Sequence, residues 1–245
     1  MSWAAPAAAP PSPLTQAPRP SQPPSISVVI PILNAAEGLP ACLASVAEAD
    51  EIVVVDGGST DDGAERARRL GAKVIDAARG RGVQLHAGAL AARGAWLLFL
   101  HADTQLDAGW RDTVDAFACR PQAAERAASF RFALDDSDWR ARVLERLVAA
   151  RVRLLALPYG DQGLLIPRDL YRLVGGYRPL ALMEDVDLVR RLGSRRLAPL
   201  PVAARTSSRR WRQDGWIARS LRNLGCLALY GLGAPVDRIA KLYGR

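Results

Sequence analysis

The sequence predicts an α/β fold: a Rossmann-like, mostly parallel central sheet with helices on both faces. Two observations predict it. Short hydrophobic segments alternate with helical segments through the first half of the chain, which is the pattern of βαβ units. Three of the hydrophobic segments also run into polar residues, at Asn34, Asp56 and Asp103. Because ligands bind outside the carboxyl ends of parallel strands, these residues mark one candidate site.

The elements of the first half follow in order. Most of the strand segments are apolar throughout, which is typical of strands that are buried on both faces. The predicted strands are Ile26–Pro31, Ile52–Asp56, Lys73–Asp76 and Trp96–His101, and the predicted helices lie near Glu37–Glu48, Asp62–Leu70 and Val83–Ala92.

After Asp103 the alternation becomes less regular. A long amphipathic helix is predicted from Ser137 to about Leu155, ended by Pro158, with arginines mostly on its polar face. Its apolar face is predicted to carry Trp139, Val143, Leu144, Leu147 and Val148. The other predicted elements are helices near Ala108–Ala118, Arg168–Val174, Asp185–Leu192 and Trp216–Leu232, and strands near Ser129–Leu134, Leu164–Ile166 and Ala198–Ala203.

Length and composition predict one domain with a leader. At 245 residues and 49% hydrophobic content, residues 25–245 can bury a single core and are expected to end in a helical segment. Residues 1–24 are rich in Ala and Pro with one charge, Arg19, so we expect a disordered leader. It lacks the basic start of a signal peptide, and no charge-free apolar run is long enough to span a bilayer. We therefore expect a cytoplasmic protein.

Charge and cysteines restrict the possible partners. The net charge of +8 comes almost wholly from arginine and favours anionic ligands. Nucleic acid is disfavoured because the arginines are dispersed and no aromatic platform is visible. A dinucleotide is disfavoured because Pro31 to Asn34, not a glycine fingerprint, follows the first strand.

The cysteines Cys42, Cys119 and Cys226 lack metal-site spacing and are expected to be buried free thiols.

Two segments could contact a nucleotide on physical grounds alone. Asp56 can accept a hydrogen bond from a base or ribose, or it can simply build a helix-entry turn, since Asp, Gly, Ser and Thr are turn formers. The segment Arg79-Gly80-Arg81-Gly82 leads a helix, where backbone N–H groups and guanidinium groups can meet a phosphate.

Taken together, the motifs resemble a known family. Ser27-Val28-Val29-Ile30-Pro31 with Leu33-Asn34, Val55-Asp56-Gly57-Gly58-Ser59-Thr60-Asp61, Leu100-His101-Ala102-Asp103 and Met183-Glu184-Asp185 follow the order and spacing of family 2 glycosyltransferases. The resemblance covers about residues 26–243. It implies a GT-A fold. It also implies that a sugar is transferred, with inversion, from a nucleotide-diphosphate sugar to an unknown hydroxyl acceptor. The favoured donor is a uridine-linked sugar. Residues 159–162, 182–186 and 207–211 especially resemble the bacterial arsenosugar-biosynthesis-type subgroup.

The resemblance also implies a donor site and a divalent metal, Mn²⁺ or Mg²⁺. Asp103 is the implied metal ligand. His101 stands where family members have an acid, and imidazole suits Mn²⁺ better than Mg²⁺, so it is either a second ligand or a packing residue. Ala35 and Ser207 also depart from the family pattern. The donor-binding residues are expected to be Pro31, Leu33, Asn34, Asp56, Gly57, Arg79, Arg81, Ala102, Arg210 and Trp211.

Three acids are implied for catalysis. Asp185 is assigned as the general base, with Glu184 orienting it or the acceptor. Asp161 competes as base or as a sugar ligand. The alternative for Glu184 and Asp185 is the ordinary enrichment of acids in the first turn of a helix. The substitution at His101 also leaves open a nucleotide-sugar-binding protein with little turnover.

The segment Trp216–Leu232 combines apolar residues with arginines. Its apolar residues are Trp216, Ile217, Leu221, Leu224, Leu227 and Leu229, and the nearby cations are Arg209, Arg210, Arg212, Arg219 and Arg222. Such a helix is able to bind peripherally at the inner face of an anionic membrane. Packing on the sheet or on a second subunit is the alternative. The oligomeric state stays open.

Overall fold

The computed structural model describes residues 23–243. Its eight strands are β1 (Ile26–Ile32), β2 (Glu51–Asp56), β3 (Lys73–Asp76), β4 (Trp96–Phe99), β5 (Thr104–Leu106), β6 (Ala127–Leu134), β7 (Leu164–Pro167) and β8 (Leu197–Thr206). The helices of this part are α1 (Leu39–Ser45), α2 (Gly63–Arg69), α3 (Arg81–Ala91), α4 (Trp110–Ala118), α5 (Trp139–Leu155), α6 (Arg168–Leu173), α7 (Glu184–Leu192), α8 (Arg209–Asp214), α9 (Trp216–Gly231) and α10 (Val236–Tyr243).

The strands form one sheet in the order β3-β2-β1-β4-β7-β6-β8-β5. The first four strands are parallel, which confirms the βαβ units predicted for the first half. In the second half β7 runs antiparallel to both β4 and β6, β8 is parallel to β6, and β5 is antiparallel to β8. Parallel pairing is thus broken where the regular alternation of the sequence ends.

Helices cover both faces of the sheet, as predicted. Successive residues of a strand point to opposite faces. On β1, Val28 therefore packs with the side chains of α1, α2 and α4, whereas its neighbour Val29 packs with those of α3, α6 and α7. The carboxyl ends of β1, β2 and β4 lie side by side at one edge, so the loops that follow them meet there.

Several boundaries differ from the predictions. The strand expected to reach His101 ends at Phe99, and the short strand β5 and the helices α8 and α10 were not predicted. Strand β8 extends to Thr206 although it contains two prolines, which cannot donate hydrogen bonds to a ladder. It tolerates them because its pairing with β6 is irregular between Ser129 and Arg131. Strand β5 was missed because it has only three residues, and so short a segment shows too little hydrophobic alternation to be recognised as a strand.

Helix α5 packs only part of the predicted apolar face, Leu144 and Val148, against the rest of the domain. Its packed side chains are Ala141, Leu144, Val148 and Val152, which lie against β6 and Trp211. The predicted apolar residues Trp139, Val143 and Leu147 are exposed instead. The sequence analysis therefore assigned to one apolar face residues that lie on two different sides of the helix.

Other expectations have mixed outcomes. The predicted leader lies almost wholly in residues 1–22, outside the described residues. Cys42 and Cys226 are buried free thiols, but Cys119 is exposed, so the burial prediction is wrong for it. None of the helices within residues 23–243 combines the length and the hydrophobicity needed to cross a membrane.

The contact between α3 and the sheet depends on Gly88. A Cβ atom there would lie 2.8 Å from Val55 Cγ2 and closer still to Val29. We expect Gly88→Ala to lower the free energy of unfolding by about 1–3 kcal/mol, because overpacking forces the helix away from the strands. Urea denaturation measures it. The matched control is Gly225→Ala in α9, where no atom lies within 4 Å, and which should gain about 0.5–1 kcal/mol. Equal effects would contradict this interpretation.

Candidate functional site

A cavity of about 120 Å³ lies at the carboxyl edge of the sheet. Helices α3, α7, α8 and α9 and the loops after β4 and before β7 contribute to its walls. Of the residues predicted for the site, it brings together Arg81, His101, Asp103, Asp161, Glu184, Asp185, Arg210 and Trp211. Residues from distant parts of the chain therefore share one cavity that combines carboxylates with arginines.

Glu184 and Arg81 join the two helices that frame the cavity. Their charged groups lie 3.1 Å apart, and the Glu184 side chain is only 1% exposed. Burial alone would lower the pKa of Arg81, but the charges of Glu184, Asp185 and Asp103 raise it above its usual range. The start of α3 can approach this closely because Gly82 has no side chain: a Cβ there would collide with the Arg178 carbonyl oxygen. The pair therefore sets the position of the first turn of α7.

Asp185 is held at both carboxylate oxygens. Its Oδ2 accepts a hydrogen bond of 2.7 Å from the Gly160 N–H, and its Oδ1 lies 2.7 Å from the Val186 N–H, which donates to it. The side chain is half-buried and borders the cavity. A carboxylate oriented in this way can accept a proton from a hydroxyl group placed beside it.

Asp161 lies in the short 3₁₀ turn that precedes β7. Burial raises the pKa of its carboxyl to about 6, with the charges of Asp185 and Asp103 acting in the same direction against Arg151 and Arg81. Its Oδ1 is buried and has no hydrogen-bond partner within residues 23–243. The group is thus poised to bind a ligand or to hold a proton near neutral pH.

His101 and Asp103 follow β4 and both border the cavity. The imidazole lies against Gly160: a Cβ on that glycine would be 2.6 Å from His101 Nε2 and 3.3 Å from Asp185 Oδ2. No three His, Cys, Asp or Glu side chains of residues 23–243 form a metal cage. Hard divalent cations at nucleotides are typically held by one or two carboxylates plus phosphate oxygens. Asp103, with His101 beside it, fits a site of that shared kind.

Trp211 and Arg210 close the cavity from α8. Trp211 is largely buried, packs on Phe132 with ring centroids 6.3 Å apart, and lies under the Arg219 guanidinium at 5.0 Å. Arg219 also pairs with Asp214 at 2.7 Å and is buried, so its assignment to the cationic surface was wrong. Arg219 turns inward because it sits on the face of α9 that packs against α8.

Several of the residues predicted for donor binding do not line this cavity. Pro31, Leu33, Asn34, Asp56, Gly57, Arg79 and Ala102 are not among its lining residues. Asn34 Oδ1 accepts a hydrogen bond from the Thr60 N–H at 2.8 Å, and Asp56 Oδ1 accepts from the Ser59 hydroxyl at 2.6 Å. Asp56 therefore builds the turn that the sequence offered as its alternative role, and it ties that turn to the loop after β1 through Ser59 and Thr60.

Sequence reasoning missed Gln84. Its Nε2 donates hydrogen bonds to the carbonyl oxygens of Ile32 at 2.8 Å and Val55 at 2.9 Å, at the ends of β1 and β2. The side chain is buried beside Gly57, where a Cβ would be 2.9 Å away. The sequence offered one signal for this role, a glutamine in the apolar face of a predicted helix. The carbonyl groups that Gln84 binds could be identified only from the fold. Gln84 does not line the cavity, but lining residues that the sequence did not predict include Tyr159, Met183, Asn223 and Tyr243.

Comparison with known proteins identifies the family. The profile described as Glycosyl transferase family 2 matches residues 27–157, more than half of the chain. The chain belongs to this family. The match confirms the resemblance to family 2 glycosyltransferases that the motifs predicted. The narrower resemblance to the arsenosugar-biosynthesis-type subgroup stays a prediction.

Two curated relatives of this chain come from Mycobacterium tuberculosis. One, described as an uncharacterized glycosyltransferase, is 44% identical over 86 residues, which is 35% of this chain and 39% of the relative. The other, a PGL/p-HBAD biosynthesis glycosyltransferase, is 43% identical over 94 residues, or 34% of this chain and 37% of the relative. The chain thus matches well under half the length of either relative.

Solved structures show the same fold. Glucosyl-3-phosphoglycerate synthase from Mycobacterium tuberculosis, in complex with Mn²⁺ and UDP-glucose, has a TM-score of 0.57 at 21% identity and covers 86% of this chain and 80% of its own. A mannosyltransferase from Pyrobaculum calidifontis, with GDP-mannose and Mn²⁺, has a TM-score of 0.55 at 20% identity, with coverages of 79% and 60%. The predicted GT-A fold is confirmed.

The raised pKa of Asp161 predicts a pH-dependent stability difference. An unfolded aspartate has a pKa of about 4, whereas the pKa of the folded Asp161 carboxyl is about 6. The folded state therefore loses stability as the pH rises from about 4 through 6. We expect Asp161→Asn to unfold at nearly the same temperature as the wild type at pH 4 and at a higher temperature at pH 7.5, measured by calorimetry in EDTA. A constant difference across that range would contradict the raised pKa.

Proposed function

We propose that this glycosyltransferase moves a sugar from a nucleotide-diphosphate sugar, uridine-linked, to a hydroxyl group of its acceptor, with inversion at the anomeric carbon. One observation carries the proposal. The carboxylates of Asp103, Asp161 and Asp185 face the same cavity as the guanidinium groups of Arg81 and Arg210. A diphosphate donor needs cations, and the acceptor hydroxyl needs a base, so one cavity supplies both requirements.

The donor would lie across the carboxyl edge of the sheet. Its nucleoside would contact the loops carrying Asn34 and Asp56, together with Pro31, Leu33 and Gly57, while its diphosphate would reach Arg81 and Arg210, with Arg79 and Ala102 at the border. Guanidinium groups pair with phosphate oxygens in bidentate fashion. The UDP-glucose and GDP-mannose complexes of the fold neighbours support a nucleotide sugar as donor.

Asp103, with His101, would hold a divalent cation. When bound, such a cation offsets the negative charge that develops on the leaving diphosphate. Asp103 supplies a carboxylate of the type that Mn²⁺ and Mg²⁺ accept, and the imidazole of His101 favours Mn²⁺. The Mn²⁺ and Mg²⁺ complexes of a fold neighbour support this assignment.

Asp185 would be the general base. In a single displacement the acceptor oxygen bonds to the anomeric carbon while the bond from that carbon to the diphosphate oxygen breaks. The hydroxyl proton passes to Asp185, and the nucleoside diphosphate leaves with the electron pair. The Gly160 N–H keeps the Asp185 carboxylate in place. Glu184, bound to Arg81, positions the helix turn, and Asp161 would bind a hydroxyl of the transferred sugar.

The two candidate bases can be separated by turnover. We expect Asp185→Asn to lower kcat by about 10²–10⁴-fold while the affinity for donor and metal is kept, because the amide cannot accept the proton. Asp161→Asn, as the parallel variant, should mainly raise the KM for the donor. The measurement is steady-state kinetics with UDP-glucose and Mn²⁺, monitored by release of UDP. The reverse pattern would make Asp161 the base.

The metal assignment predicts a loss of metal-dependent binding. We expect Asp103→Ala to weaken UDP binding in Mn²⁺ by at least about tenfold, and to leave binding in EDTA unchanged, since the carboxylate acts through the cation. Isothermal titration calorimetry measures both. The control is Asp76→Asn, an exposed acid at the end of β3 outside the cavity. Equal binding of UDP by Asp103→Ala and the control in Mn²⁺ would remove Asp103 from the metal site.

A further inference from the structure

Helix α5 carries an exposed apolar stripe that the fold does not use. Trp139, Val143, Leu147 and Leu154 follow one another at helical spacing and are 41–79% exposed. At 100° per residue they lie within a quarter turn of one another, on the side of the helix away from the buried Ala141 and Val148. A 17-residue helix is about 25 Å long, so the stripe extends along much of one side of the domain.

Helix α9 carries a second stripe of the same kind. Ile217, Leu221, Leu224 and Leu232, at its end, are 55–85% exposed. The opposite side of the same helix lines the cavity through Arg219 and Asn223. Helix α9 therefore separates the candidate active site from an exposed apolar surface by about one helix diameter, 10–12 Å.

The two helices that carry the stripes meet at one small hydrophobic cluster. Leu144, Val148 and Val152 from the inner side of α5 pack in one cluster with Trp211 of α8 and Trp216, the first residue of α9. Both helices therefore contact this cluster, α5 along its inner side and α9 with its first residue. We call the two stripes together the outer surface.

The charges around the outer surface are positive. Helix α5 has five arginines against one acid, Glu145, whose carboxylate is already bound to Arg142. Arg146 and Arg153 flank the stripe on one side and Arg140 on the other, by helical position. On helix α9, Arg219 is buried and turned inward and Arg222 lies 3.5 Å from Asp214, so α5 supplies most of the positive charge. An apolar stripe bordered by arginines is the arrangement of helices that lie in the interface of an anionic bilayer.

We propose that the outer surface of α5 and α9 docks on an anionic lipid bilayer, with the leucines and Trp139 in the interface and the arginines on the headgroups. A second copy of the chain fits less well, because a symmetric contact would bring the arginines of two α5 helices together without acids to pair them. Docking in this way holds the cavity within about one helix diameter of the lipid headgroups.

Vesicle flotation tests the proposal with the full chain, without donor or acceptor. Vesicles of phosphatidylglycerol and phosphatidylcholine should carry the protein upward at low salt, and pure phosphatidylcholine vesicles should not. Raising the salt to about 0.5 M should release much of it, because screening weakens headgroup contacts. Trp139 should shift its emission to shorter wavelength on binding, a change that the variant Trp139→Phe loses.

Variants locate the surface. Leu147→Glu with Leu221→Glu should weaken vesicle binding at least about tenfold, and Arg146→Glu with Arg153→Glu should weaken it by about fivefold per arginine. The controls Leu173→Glu and Arg68→Glu change equally exposed residues on α6 and α2, and should bind like the wild type. All these positions are at the surface, so circular dichroism should show unchanged folding.

The opposite results would overturn the proposal. It fails if the wild type does not float with anionic vesicles at low salt, or if the control variants lose binding as much as the stripe variants do. It also fails if analytical ultracentrifugation finds a dimer that the stripe variants dissociate while vesicle binding is absent. Since no substrate is present, these outcomes do not depend on the proposed sugar transfer.

Discussion

The ion pair between Arg81 and Glu184 is the contact on which the site depends. It connects the first residue of α3, a helix of the regular βαβ half, with the first turn of α7, in the irregular half of the chain. Losing one partner of such a buried pair typically costs about 3–5 kcal/mol, because the other charge stays buried without compensation. Through this pair the position of Asp185, the next residue, is tied to the sheet.

Like charges are concentrated around that pair. Asp103, Asp161, Glu184 and Asp185 border one cavity, and the arginines that line it with them are Arg81, Arg210 and Arg219. The raised pKa of Asp161 is a direct consequence of its burial and of the neighbouring carboxylates. Acids crowded together in this way favour the binding of a cation or a proton, and the proposed sugar transfer would use both.

Helix α9 connects the chemistry of the cavity with the outside of the molecule. Its inner side brings Arg219 over Trp211, and its outer side exposes leucines. An ordinary surface helix has one apolar stripe for the core and a polar opposite face. A helix with apolar residues on both sides needs a second environment, and this is the physical basis for proposing a bilayer there.

The sequence by itself determined the parallel half of the sheet, and its motifs singled out acids that the structure places at the carboxyl ends of the strands and at the cavity. Runs such as Val53–Val55 are recognisable because burial on both faces demands apolar β-branched residues, and the motifs at Asp56, Asp103 and Asp185 are contiguous in the chain. Only the tertiary structure decided the rest. The bridge from Gln84 to β1 and β2, the inward turn of Arg219 and the split faces of α5 depend on partners far away in the sequence, and a local pattern carries no information about those partners.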